Sequence, residues 1–271
     1  MGYLRPYQLD DALAALAASP HTILAGGTDH FPARVGHTPI EDILDITALP
    51  GSHTIVRRQD EWWIPCGATW SDLIEAGLPH AFDALVSAAR QVGGAQIQNA
   101  GTLVGNLCNA SPAADGVPCL MALEAKVELA SLAGRRTLPV EAFVMGARRT
   151  ARRPDEMVLG IRVPLSEGLS SSFIKLGSRK YLVISIAMVA VTAGIEDGRI
   201  ADARVAIGAC GARAERLPDL EASLIGQLAA APDIDPAHFA PLGPINDIRA
   251  SASYRRMAAV EITRRAVVAL A

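Results

Sequence analysis

Two short stretches carry the candidate chemistry of the chain. The first is Leu24-Ala25-Gly26-Gly27-Thr28-Asp29, directly after an apolar run. The second runs Gln96-Ile97-Gln98-Asn99-Ala100-Gly101-Thr102-Leu103-Val104-Gly105-Asn106-Leu107-Cys108-Asn109-Ala110-Ser111-Pro112-Ala113-Ala114-Asp115. Both are poor in bulky and charged side chains. Glycine and alanine let a large planar or polyanionic ligand approach the backbone. The Asn, Thr and Ser side chains supply donors and acceptors at short reach. A strand running into Gly26-Gly27 can present successive backbone N–H groups to an anion. The same pair also serves as an ordinary turn between strand and helix. The glycines do not spell G-x-G-x-x-G, and no following strand ends convincingly on an acid, so a Rossmann site is disfavoured. The two stretches are read together as the walls of one ligand site.

The other reactive side chains form no second constellation. Cys66, Cys108, Cys119 and Cys210 are scattered, without a C-x-x-C pair. That argues against a zinc or iron–sulfur centre held by this chain. Most are expected as free buried thiols, with Cys108 set apart by its place in the second stretch. Arg148, Arg149, Arg152 and Arg153 form a local basic cluster, read as a solvated loop with phosphate or partner binding as the alternative. No general acid–base or nucleophilic set is visible.

The 271 residues are 50% hydrophobic, enough to fold and bury a core in one large domain or two medium ones. A net charge of −3 and 4% aromatic content give no basis for nucleic-acid binding, which needs positive potential or stacking platforms. The N-terminal residues lack the apolar stretch of a signal peptide, and no run is long enough to span a bilayer. A cytoplasmic location is expected.

The elements that must position these stretches are short. Asp10 to Ser19 reads as a helix with an acidic start. Thr22 to Ala25 and Ile43 to Ile46 read as strands, and Trp62 to Ala68 as a strand leading into a turn. Thr69 or Ser71 is placed to cap a helix through Ala76. A helix is expected from His80 to Gln91, stopped by Gly93-Gly94. Val117 to Ala125 reads as a helix with proline in its first turn. Lys126 to Ala130 and Met157 to Val163 follow as strands.

From Ser166 the texture changes, and Glu167 to Ser172 reads as a linker. Phe173 to Leu176, Ile184 to Ala193 and Ala203 to Ala209 are strand candidates, the last two joined through Glu196-Asp197-Gly198-Arg199 as a hairpin. Leu217 to Leu228 reads as a helix. The terminal helix, about Ser251 to Leu270, carries Tyr254, Ala258, Ile262, Ala266 and Ala269 on one face, with Arg255, Arg256, Arg264 and Arg265 largely off it. The pattern is α+β with a break near residue 168.

In order, Ala25-Gly26-Gly27-Thr28-Asp29 and then Gln96-Ile97-Gln98-Asn99-x-Gly101-Thr102-x-x-Gly105-Asn106-x-x-Asn109-Ala110-Ser111-Pro112-Ala113-Ala114-Asp115 resemble the FAD-binding medium subunit of the molybdenum hydroxylases, the xanthine dehydrogenase and carbon monoxide dehydrogenase family. The resemblance continues through Lys175, Arg179 to Val191, and Asn246-Asp247-Ile248-Arg249-Ala250-Ser251-Ala252-x-Tyr254-Arg255-Arg256, covering essentially the whole chain. It implies a vanillyl-alcohol-oxidase (PCMH)-type FAD-binding domain at 1–167, with subdomains at about 1–57 and 58–167. A smaller C-terminal domain, similar to that of the CO dehydrogenase flavoprotein, would occupy 168–271.

By resemblance, Leu24 to Asp29 and Gly101, Thr102, Gly105 and Asn106 would hold the diphosphate of a non-covalent FAD. Asp115 would lie towards the adenosine ribose, with Asn109 and Ser111 shaping the same wall. Lys175 would lie near the isoalloxazine ring, where a cation can stabilise negative charge; the plain alternative is a surface cation at a strand edge. Three departures stand out. Val104 replaces a glycine and would add a side chain near the cofactor. His30 replaces an aliphatic residue and is read as packing or solvent-facing. Ser185 replaces the Asp of an Asp-Ile-Ala motif.

The resemblance also implies partners. A large subunit would carry the molybdenum cofactor and a small one the [2Fe–2S] clusters, assembled as a dimer of heterotrimers. Electrons would pass through FAD to NAD+ or another acceptor. The scattered cysteines also disfavour the 4-hydroxybenzoyl-CoA reductase branch, whose subunit carries an added cysteine-rich loop. The rival readings are a stand-alone flavin oxidoreductase of the same fold and a scaffold subunit without flavin.

Overall fold

The computed structural model describes residues 2–36 and 41–271. The first sheet is small and parallel: β1 (Tyr3–Leu4), β2 (Thr22–Leu24) and β3 (Ile43–Asp45) lie in the order β1-β3-β2. The helix α1 (Leu9–Ala18) makes the β1–β2 crossover and buries Ala12, Leu13 and Leu16. The second sheet is antiparallel, with β4 (Val56–Arg57), β5 (Glu61–Pro65), β6 (Lys126–Ser131), β7 (Gly134–Pro139) and β10 (Met157–Pro164) in the order β4-β5-β10-β6-β7. A two-stranded ribbon, β8 (Val144–Gly146) with β9 (Arg149–Thr150), sits between them in sequence.

Between β5 and β6 lie five short helices: α2 (Trp70–Glu75), α3 (Asp83–Ala89), α4 (Ala95–Ala100), α5 (Leu103–Asn109) and α6 (Gly116–Ala122). The expected helix from His80 begins as a 3-10 turn, His80–Phe82, and its α-helical part ends at Ala89. Thr69, not Ser71, caps α2: its side chain accepts from Asp72 N, and Asp72 accepts in return from Thr69 N. That reciprocal pair satisfies two amides at the helix start. A short helix α7 (Val140–Phe143) follows β7.

The third sheet is antiparallel, in the order β11 (Leu169–Leu176), β12 (Ala187–Glu196), β13 (Arg199–Gly208) and β14 (Glu215–Arg216). The stretch expected as a linker is therefore strand from Leu169 onward, with Ser170, Ser171 and Ser172 paired to Ala193, Thr192 and Val191. Three serines look loop-like in sequence, but half-buried strand positions accept them when the backbone ladder is complete. Ser171 also accepts from Ala84 N at 2.8 Å, tying β11 to α3. The β12–β13 hairpin turns at Asp197 and Gly198, both with positive φ (49° and 74°), as a tight two-residue turn requires.

The helix α8 (Pro218–Leu224) is shorter than expected, ending four residues before Leu228. The terminal helix α9 (Ala252–Val268) is capped by Ser251 and packs on β11 and β12. Its buried face is Arg255, Ala259, Ile262, Thr263, Ala266 and Val267. Tyr254 is exposed, and Arg255, expected off the apolar face, is only 3% exposed.

Two apolar cores result. One joins the first two sheets with α1, α2, α3, α5 and α6; the other lies between the third sheet, α8 and α9. The strand β12 serves both, because side chains alternate across a sheet. Ala187, Val189 and Val191 belong to the second core, while Met188 and Ala190 belong to the first.

Candidate functional site

The first wall starts where β2 ends. After Leu24 the chain turns at Gly26-Gly27. Gly27 has φ +68°, and a Cβ there would lie 2.5 Å from the Phe31 ring. A side chain at Gly26 would overlap the carbonyl oxygen of Ala100, so this turn sits directly on the second stretch. Phe31 N donates to Gly27 O and Ala33 N to Asp29 O. The N–H groups of Gly26, Gly27, Thr28 and Asp29 donate to no group among the described residues.

The second wall is two short helices with a kink between them. α4 ends at Gly101, whose carbonyl accepts from Trp70 N at 3.1 Å. A Cβ on Gly101 would lie 3.2 Å from Thr28 Oγ1 and 2.9 Å from Ile97 O. Thr102 caps α5, its hydroxyl accepting from Gly105 N at 2.9 Å. Leu103 N donates to Ala68 O at 3.2 Å, and Leu103, Val104 and Leu107 point into the first core. The small-residue stretch thus contributes to the core as well as to the site. Val104 is a core residue, so its side chain does not crowd the cleft as its replacement of a glycine suggested.

These features fit a bound diphosphate group. Amides left without partners at a turn form a concave donor set for an anion, and glycines admit it closely. Asn106 Oδ1 is buried and has no hydrogen-bond partner. A buried polar atom in that state costs free energy unless a ligand or water meets it.

The rest of the second stretch is already occupied by the protein. Asn109 accepts from the Arg148 guanidinium through its side-chain and backbone oxygens, and Arg148 N donates to Ala110 O at 2.8 Å. Ser111 accepts from Ala113 N at 3.3 Å, a local turn contact. Arg153 pairs with Glu156 and Arg152 donates to backbone carbonyls. The basic cluster is therefore partly structural rather than a freely solvated loop.

Asp115 and Lys175 meet each other. Lys175 Nζ donates to Asp115 Oδ2 at 2.5 Å, and Ser185 Oγ donates to Asp115 Oδ1 at 3.0 Å. Both ionic side chains are 7% exposed. Lys175 is thus no surface cation. The ion pair also means that Asp115 and Lys175 cannot lie at opposite ends of one extended cofactor, as expected from the resemblance. Burial pushes the Asp115 carboxyl up from its ordinary value, against the Lys175 ammonium and the two hydrogen bonds that hold it down.

His30 stands edge-on to Phe31, ring centroids 5.1 Å apart, and burial with the nearby Arg34 pushes it below its ordinary value. That geometry is packing. Burial pushes the Cys108 thiol up to about 12, which leaves it protonated and unreactive at neutral pH. Cys66 is raised to about 11 in the same way. Among the described residues, no cluster of His, Cys, Asp and Glu is built to hold a metal ion.

Sequence reasoning passed over Trp70, and it named Arg148 and Arg255 without finding their partners. Trp70 packs at Gly101 and Gly116, a role that carries no sequence signal. Arg148 sits in the basic cluster, but its reach to Asn109 depends on a left-handed backbone (φ 58°) that its type does not announce.

Residues 1–166 match the FAD binding domain in molybdopterin dehydrogenase, and residues 172–270 match the CO dehydrogenase flavoprotein C-terminal domain. The chain is 28% identical to the nicotine 6-hydroxylase medium subunit of Paenarthrobacter nicotinovorans, over 98% of this chain and 95% of that protein. It is 30% identical to the xanthine dehydrogenase FAD-binding subunit of Escherichia coli O157:H7, over 76% of this chain and 73% of that one. Its fold superposes on a chain of carbon monoxide dehydrogenase from Hydrogenophaga pseudoflava with a TM-score of 0.90 at 27% identity, covering 100% of this chain and 96% of that one. The chain belongs to the FAD-binding medium subunits of the molybdenum hydroxylase family and is an oxidoreductase subunit whose cofactor is FAD.

Proposed function

We propose that this subunit carries electrons from the [2Fe–2S] clusters of a small partner subunit to NAD+ or another acceptor, while a large partner holds the molybdenum cofactor and oxidises the organic substrate. The arrangement would be a dimer of heterotrimers in the cytoplasm. FAD, when bound, supplies the exchange between single electrons and electron pairs. The chain's own part is to hold the cofactor and shape its surroundings. Gly26 to Asp29 turn backbone N–H groups towards the diphosphate. Gly101 keeps the second wall within reach of the first, and Thr102 fixes the kink that places Gly105 and Asn106. Leu24 and Ala25 end the strand that aims the first turn. Asn109 and Ser111 shape the wall through their backbone and local bonds. Lys175, held by Asp115, places a positive charge at the junction of the two cores.

The observation that supports this reading is the run of unpaired amides at Gly26 to Asp29, held directly against the second wall at Ala100 and Gly101.

The test is direct. The purified chain, reconstituted with FAD, is expected to keep flavin absorbance near 450 nm through gel filtration. Colourless protein after that step would overturn the reading. Yellow protein that turns over a small organic substrate without partners would favour a stand-alone enzyme. In the assembled complex, NAD+ reduction on substrate addition, compared with reduction of a quinone, identifies the acceptor.

A further inference from the structure

The buried guanidinium of Arg255 is not explained by the apolar packing of α9. Its Nη1 donates to two backbone carbonyls, Ile186 O at 2.5 Å and Ala209 O at 3.0 Å. Its Nη2 donates to Asp247 Oδ1 at 2.7 Å. Its Nε is buried and has no partner among the described residues. A charge placed there must be held by good geometry to be tolerated, and the flat fork of arginine can bridge several fixed acceptors where a lysine cannot.

The two carbonyls are the notable part, because each belongs to a residue one step from the FAD-domain wall. Ile186 follows Ser185, whose hydroxyl donates to Asp115 Oδ1 at 3.0 Å. Ala209 donates its own N–H to Pro112 O at 3.0 Å, and Ala209 is held at φ +60°. Thus one guanidinium in the terminal helix fixes two backbone points: Ala209 bonds the Asn109-to-Asp115 segment directly, and Ile186 is joined to it through its neighbour Ser185. Asp247 in turn accepts from Arg249 N at 2.8 Å and Ala250 N at 3.2 Å, which anchors the loop before α9 to the same group.

We infer that Arg255 is a positioning residue for the cofactor wall: through Ile186–Ser185 and through Ala209 it sets the placement of Asp115 and Pro112, and so the affinity and environment of FAD. The inference rests on the proposed FAD site.

The test uses the full chain and three variants: Arg255→Lys, Asp247→Asn and Ser185→Ala. Arg255→Lys keeps a positive charge but loses the fork. It is expected to weaken FAD binding roughly tenfold, equivalent to about 1.4 kcal/mol, and to alter the visible circular dichroism of the bound flavin. Amide hydrogen exchange at residues 110–117 of the FAD-free chain is expected to speed up. As a control, Ile262→Val loosens the same second core without touching these carbonyls. It is expected to lower the melting temperature and leave FAD affinity and exchange at 110–117 unchanged.

If Arg255→Lys does not fold, Asp247→Asn and Ser185→Ala carry the test, each expected to weaken FAD binding at least about threefold. Unchanged FAD affinity and unchanged exchange at 110–117 in the folded variants would overturn the inference, as would a loss in Ile262→Val equal to that in Arg255→Lys. Wild-type protein that binds no FAD would count against the site itself. The exchange data would then still decide whether Arg255 orders the wall.

Discussion

Gly26 is the residue on which the contact of the two walls depends most sharply. Its replacement by alanine would put a methyl group onto the Ala100 carbonyl, which is backbone and cannot swing aside. Overpacking of this kind costs about 1–3 kcal/mol, and here the strain would be relieved by parting the walls. Gly26→Ala is therefore expected to lose FAD on gel filtration while remaining folded by circular dichroism. Gly243→Ala is the control, since a Cβ at Gly243 meets nothing within 4 Å; it is expected to retain the flavin. Retention of flavin by Gly26→Ala would contradict this view of the turn. The glycines of the two walls were legible in sequence because close approach needs them. Lys175 and Asp115 were visible as candidates, but their ion pair was not. Sequence order gives no measure of which strand residue will face which helix. Arg255 was placed off the apolar face by its charge, since its partners, two carbonyls and Asp247, come from three separate segments.

Among the elements, α5 is the one whose start must be fixed for the site to form. Thr102 provides the cap, and Thr102→Ala is expected to lower stability by about 1 kcal/mol. It should also weaken FAD binding, because Gly105 and Asn106 lie in the first turn. Isothermal titration with FAD alongside urea denaturation separates the two effects; a stability loss with intact affinity would mean that the cap serves the fold alone. The ends of elements were less legible than their presence. Strand β11 begins at Leu169, within a serine-rich run that reads as a linker. Its serines are satisfied by β12 and by α3, contacts distant in sequence. The helix around His80, by contrast, starts as a 3-10 turn for a local reason: Phe82 N bonds back to Pro79 O.

At the scale of the whole molecule, a buried ionic cluster sets the behaviour in acid. Glu156 is 1% exposed and meets Arg136 and Arg153. Burial works to raise its carboxyl, but the hydrogen bonds from these arginines and from Arg153 N outweigh it and bring it down to about 2. A carboxyl lowered by folding stabilises the native state at pH above its unfolded value, near 4.5. That contribution is lost as pH falls from there towards 2. It amounts to about 3 kcal/mol. Glu156→Gln is expected to be less stable than wild type by about that amount at pH 7, with the gap closing near pH 2, as read from urea midpoints. A gap that stays constant with pH would show that packing, not charge, is responsible.

The two cores share strand β12, which predicts joint unfolding. All 3 tryptophans, Trp62, Trp63 and Trp70, lie in the N-terminal part. Ile207→Ala, a change in the second core costing about 2–5 kcal/mol, is expected to shift the tryptophan fluorescence transition and the far-ultraviolet transition together. A fluorescence midpoint unmoved by Ile207→Ala would mean that the halves unfold independently.

The two-faced strand also bears on how such subunits can be recombined. The break in sequence texture near residue 168 invites a chimera in which the second half is taken from a relative. The junction in space is elsewhere, in the small side chains Ala190 and Ala206 and the flexible Met188 that abut the first core. A graft that respects the chain boundary but brings larger residues to those positions would hold the donor half away from its host. The exchangeable unit is thus the first half together with one face of the third sheet.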